Sequence, residues 1–279
     1  MILSMVLARL AHPFLRSSSE TLNTGNPLST TVAAHIAREL KQKANSLKGK
    51  FYDATTGALD YCAAAGSSEF ADYVETATLL CAYDPGMLVS SHEKLAFWIN
   101  VYNALTVHAI ISYGPRESVW EVTGFFDKAA YLIGGMRYSL NDIEHGILRS
   151  NRSSPPLLRR RFGDKDPRRA YALQATKFDP RIHFALNCGS KSCPPISFYD
   201  AEKIDLQLDL AARAFIRGET EARGAALLTS PIFKWYRGDF GHEVVGFILK
   251  YLEEETARQL RGQRVRLSFK KYDWRLNAS

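Results

Sequence analysis

The sequence predicts an α+β fold: a mostly helical single domain with a small antiparallel or mixed sheet and an N-terminal helical appendage. Three observations lead there. Segments with a helical apolar period, such as Val32/Ile36/Leu40 and Ile204/Leu208/Ala212/Phe215, outnumber strand-like ones. The strand-like segments are short and do not alternate regularly with helices, which argues against a doubly wound sheet. One segment, Lys94 to Ile111, is apolar nearly all round, as expected of a helix buried in the middle of a domain.

Residues 1–19 carry Arg9, Arg16 and no acid, with a short apolar run and a serine cluster. That composition is compatible with an organelle transit peptide, a weak signal peptide or simply a loose end. Residues 20–87 read as the helical appendage: one helical stretch from Thr30 to Ala65 and a second from Ser67 to Ala82, ending before Asp84-Pro-Gly86. The main domain is expected from 88 to 279.

Its first helix has the clearest limits. Ser90 followed by Glu93 is a capping box, and Gly114-Pro115 supplies the stop. At helical spacing Glu93, Asn100 and Asn103 fall on one stripe, and polar groups on a buried helix require hydrogen-bonding partners. The stripe is either a structural network bracing a loop or one wall of a site. Tyr131 to Tyr138 predicts a hairpin turning at Gly134-Gly135. Ser139 to Arg149 reads as a capped helix burying Ile143 and Ile147, so that Glu144, His145 and Arg149 are exposed or face a cleft. Amphipathic helices are expected over Ala201–Arg217 and Glu243–Leu252, and a strand over Val265–Phe269.

Composition excludes some functions. The 46% hydrophobic and 23% charged residues of this 279-residue chain are those of a protein with an ordinary buried core. No run approaches the roughly 18 uninterrupted apolar residues of a spanning helix, so no transmembrane segment is expected. Four cysteines in a chain this long are no disulfide framework. The net charge of +7 is concentrated: between Arg149 and Arg169 eight basic residues face only Asp164 and Asp166, a net +6. This stretch reads as a long solvated connection, or as a surface for an anionic ligand or protein partner.

The chemistry gathers in Arg181-Ile-His-Phe-Ala-Leu-Asn-Cys-Gly-Ser-Lys-Ser-Cys-Pro-Pro195. Residues 182–187 read as a strand with Ile182, Phe184, Leu186 and Cys188 on one face and His183, Ala185 and Asn187 on the other. Cys188 is the candidate nucleophile. Lys191 and the backbone N–H groups at Gly189-Ser190 would supply positive potential. Alternation points His183 away from Cys188, which leaves His145, beside Glu144, as the better base, with Asn100 or Asn103 orienting its ring. Glu93, Asn103, Arg149, Arg181, Lys191 and Cys193 complete the candidate site by binding. Cys188 and Cys193 also form a candidate redox pair, although C-x-x-x-x-C is not the thioredoxin spacing. A zinc site using both cysteines and two histidines is a weak signal, because Cys-x₄-Cys has no clean His-x₃₋₅-His partner, and neither metal nor cofactor is expected. A non-catalytic interaction module, its cysteines closing a core loop, stands beside these readings.

Four stretches together carry a resemblance: Glu93–Ala104, Ile143–Arg149, Asp179–Pro195 and Tyr272–Asn277. In this order they resemble the domain of unknown function DUF547, from about residue 88 to the C-terminus. The resemblance implies little biochemistry, because the family as a whole has no established activity. Some members join this domain to DEP and glutaredoxin-like domains or to a leucine-zipper segment. Residues 20–87 show neither a C-x-x-C motif nor sustained heptads.

Overall fold

The computed structural model describes residues 21–25, 35–153, 159–241 and 243–279. The expectations for residues 1–19 and for the start of the first helix, before His35, lie outside the described residues. The fold is α+β and mostly helical. Helices α1 (Ile36–Phe51), α2 (Tyr61–Ala65), α3 (Ser68–Thr78) and α4 (Ser91–Tyr113) come first. A short α5 (Phe125–Lys128) leads into the hairpin β1 (Ala130–Ile133) and β2 (Met136–Ser139), and then a π-helix, Asp142–Leu148. The remainder is α6 (Ile204–Glu219), β3 (Glu221–Arg223), β4 (Ala226–Thr229), α7 (Ile232–Trp235), α8 (Val244–Tyr251), α9 (Glu254–Leu260) and β5 (Arg266–Phe269).

The organising element is α4. Ser90 Oγ accepts the Glu93 N–H at 3.1 Å, and the Glu93 carboxylate accepts the N–H groups of Ser90 and Val89 at 2.7 and 3.1 Å. Glu93 is therefore a cap at the exposed start of the helix, not part of a polar stripe. At the other end Gly114 takes the left-handed conformation, φ 59°. Every residue from Leu95 to Ile110 is buried. By length and composition alone α4 is long and apolar enough to cross a membrane, but 89% of its apolar window is buried inside the protein. Its hydrophobic surface is satisfied by protein.

Helices α1 and α3 share one hydrophobic core with α4, the hairpin and the π-helix. Where α3 meets α4 and β1, the hydroxyls of Tyr73 and Tyr131 lie 2.5 Å apart and Tyr131 reaches His108 Nδ1 at 2.9 Å. Burial pushes the His108 imidazole down to about 4, which keeps this triad neutral at physiological pH. The hairpin pairs Ile133 with Met136 and Ala130 with Ser139, as the glycine pair predicts. A second core gathers α6 to α9 around Phe184 and Phe233. In the mixed sheet β3 pairs antiparallel with β4, and β4 pairs parallel with β5.

The two cores meet at the segment expected to be a strand. It is a 3₁₀ helix, Pro180–Phe184, followed by irregular chain. Asp179 accepts the Arg181 N–H and Pro180 occupies the first helical position, a helix-start signal that overrides the apolar alternation after it. Ile182, Ala185 and Leu186 enter the first core, while Phe184 and Cys188 face the second. Arg181 fastens this turn to α6 through Asp205 and Asp209 at 2.8 and 2.9 Å, besides its bond to Asp179.

The asparagines of α4 hold the loop beyond. Asn103 Nδ2 donates to the carbonyls of Ala185 and Ser197 at 2.9 and 2.8 Å, and its Oδ1 accepts the Asn187 N–H at 2.9 Å. Asn100 makes a two-way bond with the Tyr199 backbone, 2.8 and 2.7 Å. The Asn103→Leu replacement leaves two buried backbone groups and one part-buried carbonyl without this partner, at about 1–3 kcal/mol for each group that is fully buried and unrelieved. Urea unfolding should show a loss of at least about 2 kcal/mol; a change within about 0.5 kcal/mol would mean that the loop is held by other contacts.

Candidate functional site

The residues of the candidate site form two adjoining groups, one built on sulfur and one on charge. The sulfur group lies in the loop after the 3₁₀ helix. Gly189 adopts φ 83°, and a Cβ there would lie 2.5 Å from Ile110 Cδ1, so only glycine lets the chain turn this close to α4. The turn brings Cys188 and Cys193 together as a disulfide, Cα to Cα 6.2 Å. The Cys188 N–H donates to Cys193 Sγ at 2.9 Å. The Tyr272 hydroxyl lies 3.5 Å from Cys188 Sγ and 3.2 Å from Cys193 Sγ, and accepts from Ser190 Oγ at 3.2 Å. Burial drives the Tyr272 phenol well above its ordinary range, with the Glu144 charge contributing, so it remains a hydroxyl donor.

Tyr272 is delivered by a strap. Residues 272–277 cross the loop with Lys191 N–H on Arg275 O at 2.9 Å, Asn277 N–H on Gly189 O at 2.8 Å and Asp273 N–H on Ser192 Oγ at 2.9 Å. The strap is anchored beyond the loop where Asn277 Nδ2 donates to Gly57 O at 2.6 Å. Trp235 packs on Tyr272 and Trp274, closing the aromatic side of the sulfur group. Lys191 is exposed on this loop.

The charged group grows from the π-helix. Its wider turn shows in the Arg149 N–H bonding Glu144 O, five residues back, at 2.8 Å. Arg149 is 3% exposed and clamps Asp239 through Nε and Nη2, at 2.5 and 3.1 Å. Its Nη1 donates to His145 Nδ1 at 3.1 Å. Guanidinium can only donate, so the His145 proton sits on Nε2 and the Nδ1 lone pair is occupied. His183 Nε2 donates to Asp239 Oδ2 at 2.9 Å, and its ring stacks on Tyr236 at 4.1 Å. Burial disfavours the Asp239 charge, but the bonds from His183 and Arg149 outweigh it and hold the carboxyl well below its ordinary range. Glu144 accepts from Tyr236 at 2.7 Å and Tyr102 at 3.3 Å. Burial again opposes its charge, and His145, His183, Tyr236 and Arg149 together hold it ionised.

The structure thus brings Glu144, His145, Arg149 and His183 into one network and Cys188 and Cys193 into another, with Tyr272 between them. The Glu144 charge acts on Tyr102 and on Tyr272, which spans the gap electrostatically. Glu144, His145 and Arg149 are largely buried rather than exposed, because they face this network. Asn100 and Asn103 bond backbone and not an imidazole, and Arg181 stands outside both groups, in its acidic cluster on α6. Tyr102, Tyr236, Asp239, Ser190 and Tyr272 are the members sequence reasoning missed. Tyr102, Ser190 and Tyr272 lay within the stretches that carry the resemblance, but nothing local marked their roles; Asp239 gives no local signal, since its partners are 56 and 90 residues away.

Much of the basic stretch is neutralised. Arg161 bonds Asp127 at 2.7 Å and Asp142 at 2.5 Å, Arg168 bonds Asp142 and Asp166 at 3.0 and 2.7 Å, and Arg169 bonds Asp164 at 2.5 Å. Residues 154–158 lie outside the described residues. Among the described residues no group of three or more His, Cys, Asp or Glu side chains is placed to hold a metal ion.

Residues 88–216 match a family described as a protein of unknown function, DUF547. The matched region runs from the start of α4 into α6 and includes Glu144, His145, Arg149, His183, Cys188 and Cys193; Tyr236, Asp239 and Tyr272 lie beyond it. Comparison with curated proteins and with solved structures gave no match.

Removing Arg149 leaves a buried carboxylate without its main partner, which costs about 3–5 kcal/mol; Arg149→Met should show this in urea unfolding. The Asp239 contribution follows pH with a fixed sign. With its native value depressed, the stabilisation is complete above the unfolded carboxylate value of about 3.9 and is lost as pH falls through the lower native value. The stability difference between wild type and Asp239→Asn should be flat from about pH 8 to 5 and shrink below about pH 4. A difference that grows on acidification would contradict the clamp.

Proposed function

We propose, from the DUF547 domain that residues 88–216 carry and the sulfur pair within it, that this protein performs thiol–disulfide exchange, with Cys188 joining a partner and Cys193 resolving. The observation that carries the reading is the placement of two partly exposed, paired sulfurs under one buried hydroxyl. A partner thiolate attacks Cys188 Sγ, the Cys188–Cys193 bond breaks, and a mixed disulfide forms while Cys193 leaves as thiolate. The Cys188 N–H and the Tyr272 O–H are positioned to donate to that thiolate. Such donors lower its pKa and make it the better leaving group. A second partner thiolate then attacks the partner sulfur of the mixed disulfide and releases Cys188. Two electrons have passed to the protein, and the partner departs as a disulfide. The reverse sequence oxidises the dithiol at the expense of a partner disulfide.

A purely structural staple is the weaker alternative on energetic grounds. The bond links residues only five apart, and by chain entropy so short a loop contributes about 2 kcal/mol, against nearly 5 for a loop of about 100 residues. A second reading, hydrolysis or acyl transfer with reduced Cys188 as nucleophile, is favoured by the Glu144–His145 pair behind Tyr272. It requires both prior reduction and a free basic nitrogen, and His145 Nδ1 already accepts from Arg149. Exchange requires neither His145 nor Glu144 as base.

The test is thiol counting followed by trapping. Denatured without reductant, the protein should titrate two thiols, Cys62 and Cys81, and two more after reduction. Reduced Cys193→Ser protein should accumulate a mixed disulfide at Cys188 with a small-molecule disulfide, and Tyr272→Phe should raise the apparent pKa for iodoacetamide labelling between about pH 5 and 9. Four thiols persisting in an oxidising thiol buffer would reject the exchange reading. Cys188-dependent hydrolysis of a chromogenic ester by reduced Cys193→Ser protein, lost in His145→Ala, would put the acyl-transfer reading in its place.

A further inference from the structure

Beside the buried Arg149–Asp239 clamp opens a cleft of about 750 Å³. Five arginines line it from three parts of the chain: Arg149 and Arg152 after the π-helix, Arg160 and Arg169 from the basic stretch, and Arg237 from the turn after α7. Asp239 is the one acid in the lining, and its oxygens are committed to Arg149 and His183. Arg152 spreads over the Phe178 ring at 4.1 Å and reaches Asp239 only at 3.4 Å. Arg169 is held by Asp164, which is 92% exposed and therefore well screened by solvent. Among the described residues Arg160 and Arg237 have no carboxylate partner. Convergent guanidinium groups repel one another unless an anion lies between them.

The backbone at the edge of the cleft is locally constrained. Ser150 and Asn151 both take left-handed conformations, φ 56° and 54°, which non-glycine residues adopt rarely and at a cost in energy. Asn151 is held there by a two-way bond with the Phe162 backbone, 2.8 Å in each direction. The Ser150 hydroxyl oxygen is buried without a hydrogen-bond partner among the described residues, in the lining of the cleft. Trp235 and Tyr236 add flat aromatic wall. We infer that this cleft binds a multiply charged phosphate, gripped by the guanidinium forks of Arg160 and Arg237. Guanidinium pairs match phosphate oxygens in geometry as well as charge, and the aromatic wall accommodates a planar group attached to that phosphate.

This inference does not rest on the thiol exchange reading, so the test uses the Cys188→Ser/Cys193→Ser protein as well as wild type. Inorganic pyrophosphate and adenosine diphosphate are titrated by calorimetry at low ionic strength. Both should bind both proteins, with affinity falling as salt is added. The Arg160→Ala/Arg237→Ala variant should weaken binding by at least about tenfold, while Arg223→Ala, an exposed residue on β3, should leave it unchanged. A tighter fit of the diphosphate nucleotide than of pyrophosphate would place its ring against Trp235 and Tyr236. No binding of either probe would overturn the inference, as would an equal loss in the Arg223 variant. Binding of single-stranded RNA with none of pyrophosphate would overturn it in favour of a nucleic-acid surface.

Discussion

A helix buried on every side cannot leave its polar side chains to water, and in α4 that constraint settles where the rest of the domain must go. Asn100 and Asn103 lie among apolar neighbours, and each gains its hydrogen bonds from backbone far ahead in the chain, at residues 185–187 and 197–199. The loop carrying Cys188 and Cys193 is therefore pinned at its two ends to one rigid rod. Between those pins, Gly189 fits against Ile110 of the same helix. Leaving these amides unsatisfied would be costly, so the packing of α4 favours holding the loop, and with it the sulfurs, in this position.

The charged group obeys a related rule. Two carboxylates, Glu144 and Asp239, are taken largely out of solvent, and neither would stay ionised without compensation. For Asp239 it comes from Arg149 and His183, and for Glu144 from two tyrosine hydroxyls with three nearby basic side chains. The π-helix makes this possible by setting Glu144, His145 and Arg149 on one widened turn. The outcome is a pair of carboxylates held in their charged form although they are largely out of solvent.

The parts of this structure written in local signals were legible in the sequence. Helix α4 announced itself through Ser90, Glu93 and Gly114, and the hairpin through Gly134-Gly135, because caps and turns are decided within a few residues. The segment 182–187 misled: six apolar and aromatic residues suggested a strand, while Asp179-Pro180 had already started a 3₁₀ helix. The proximity of Cys188 and Cys193 could be suspected from spacing. Their cradle could not, because Tyr272 comes from far along the chain. Asp239 was invisible for the same reason, being an ordinary acid in a turn until folding carries it to Arg149. The meaning of the basic stretch also depended on tertiary pairing, which cancels Arg161 and Arg168 but leaves Arg160 and Arg237 facing a cleft.

The strap over the sulfur loop has a consequence for the order of events during synthesis. Tyr272 follows Cys193 by 79 residues, which at ribosomal speeds corresponds to roughly 4 to 16 s. For that interval the nascent chain carries both thiols without their hydroxyl donor and without the aromatic wall beside it. Contact between residues five apart forms far faster than this, whereas joining the sulfurs takes seconds to hours depending on the oxidant. How far the sulfurs are joined before the strap arrives thus depends on the oxidants the nascent chain meets, and the strap then settles over a pair that stays partly exposed.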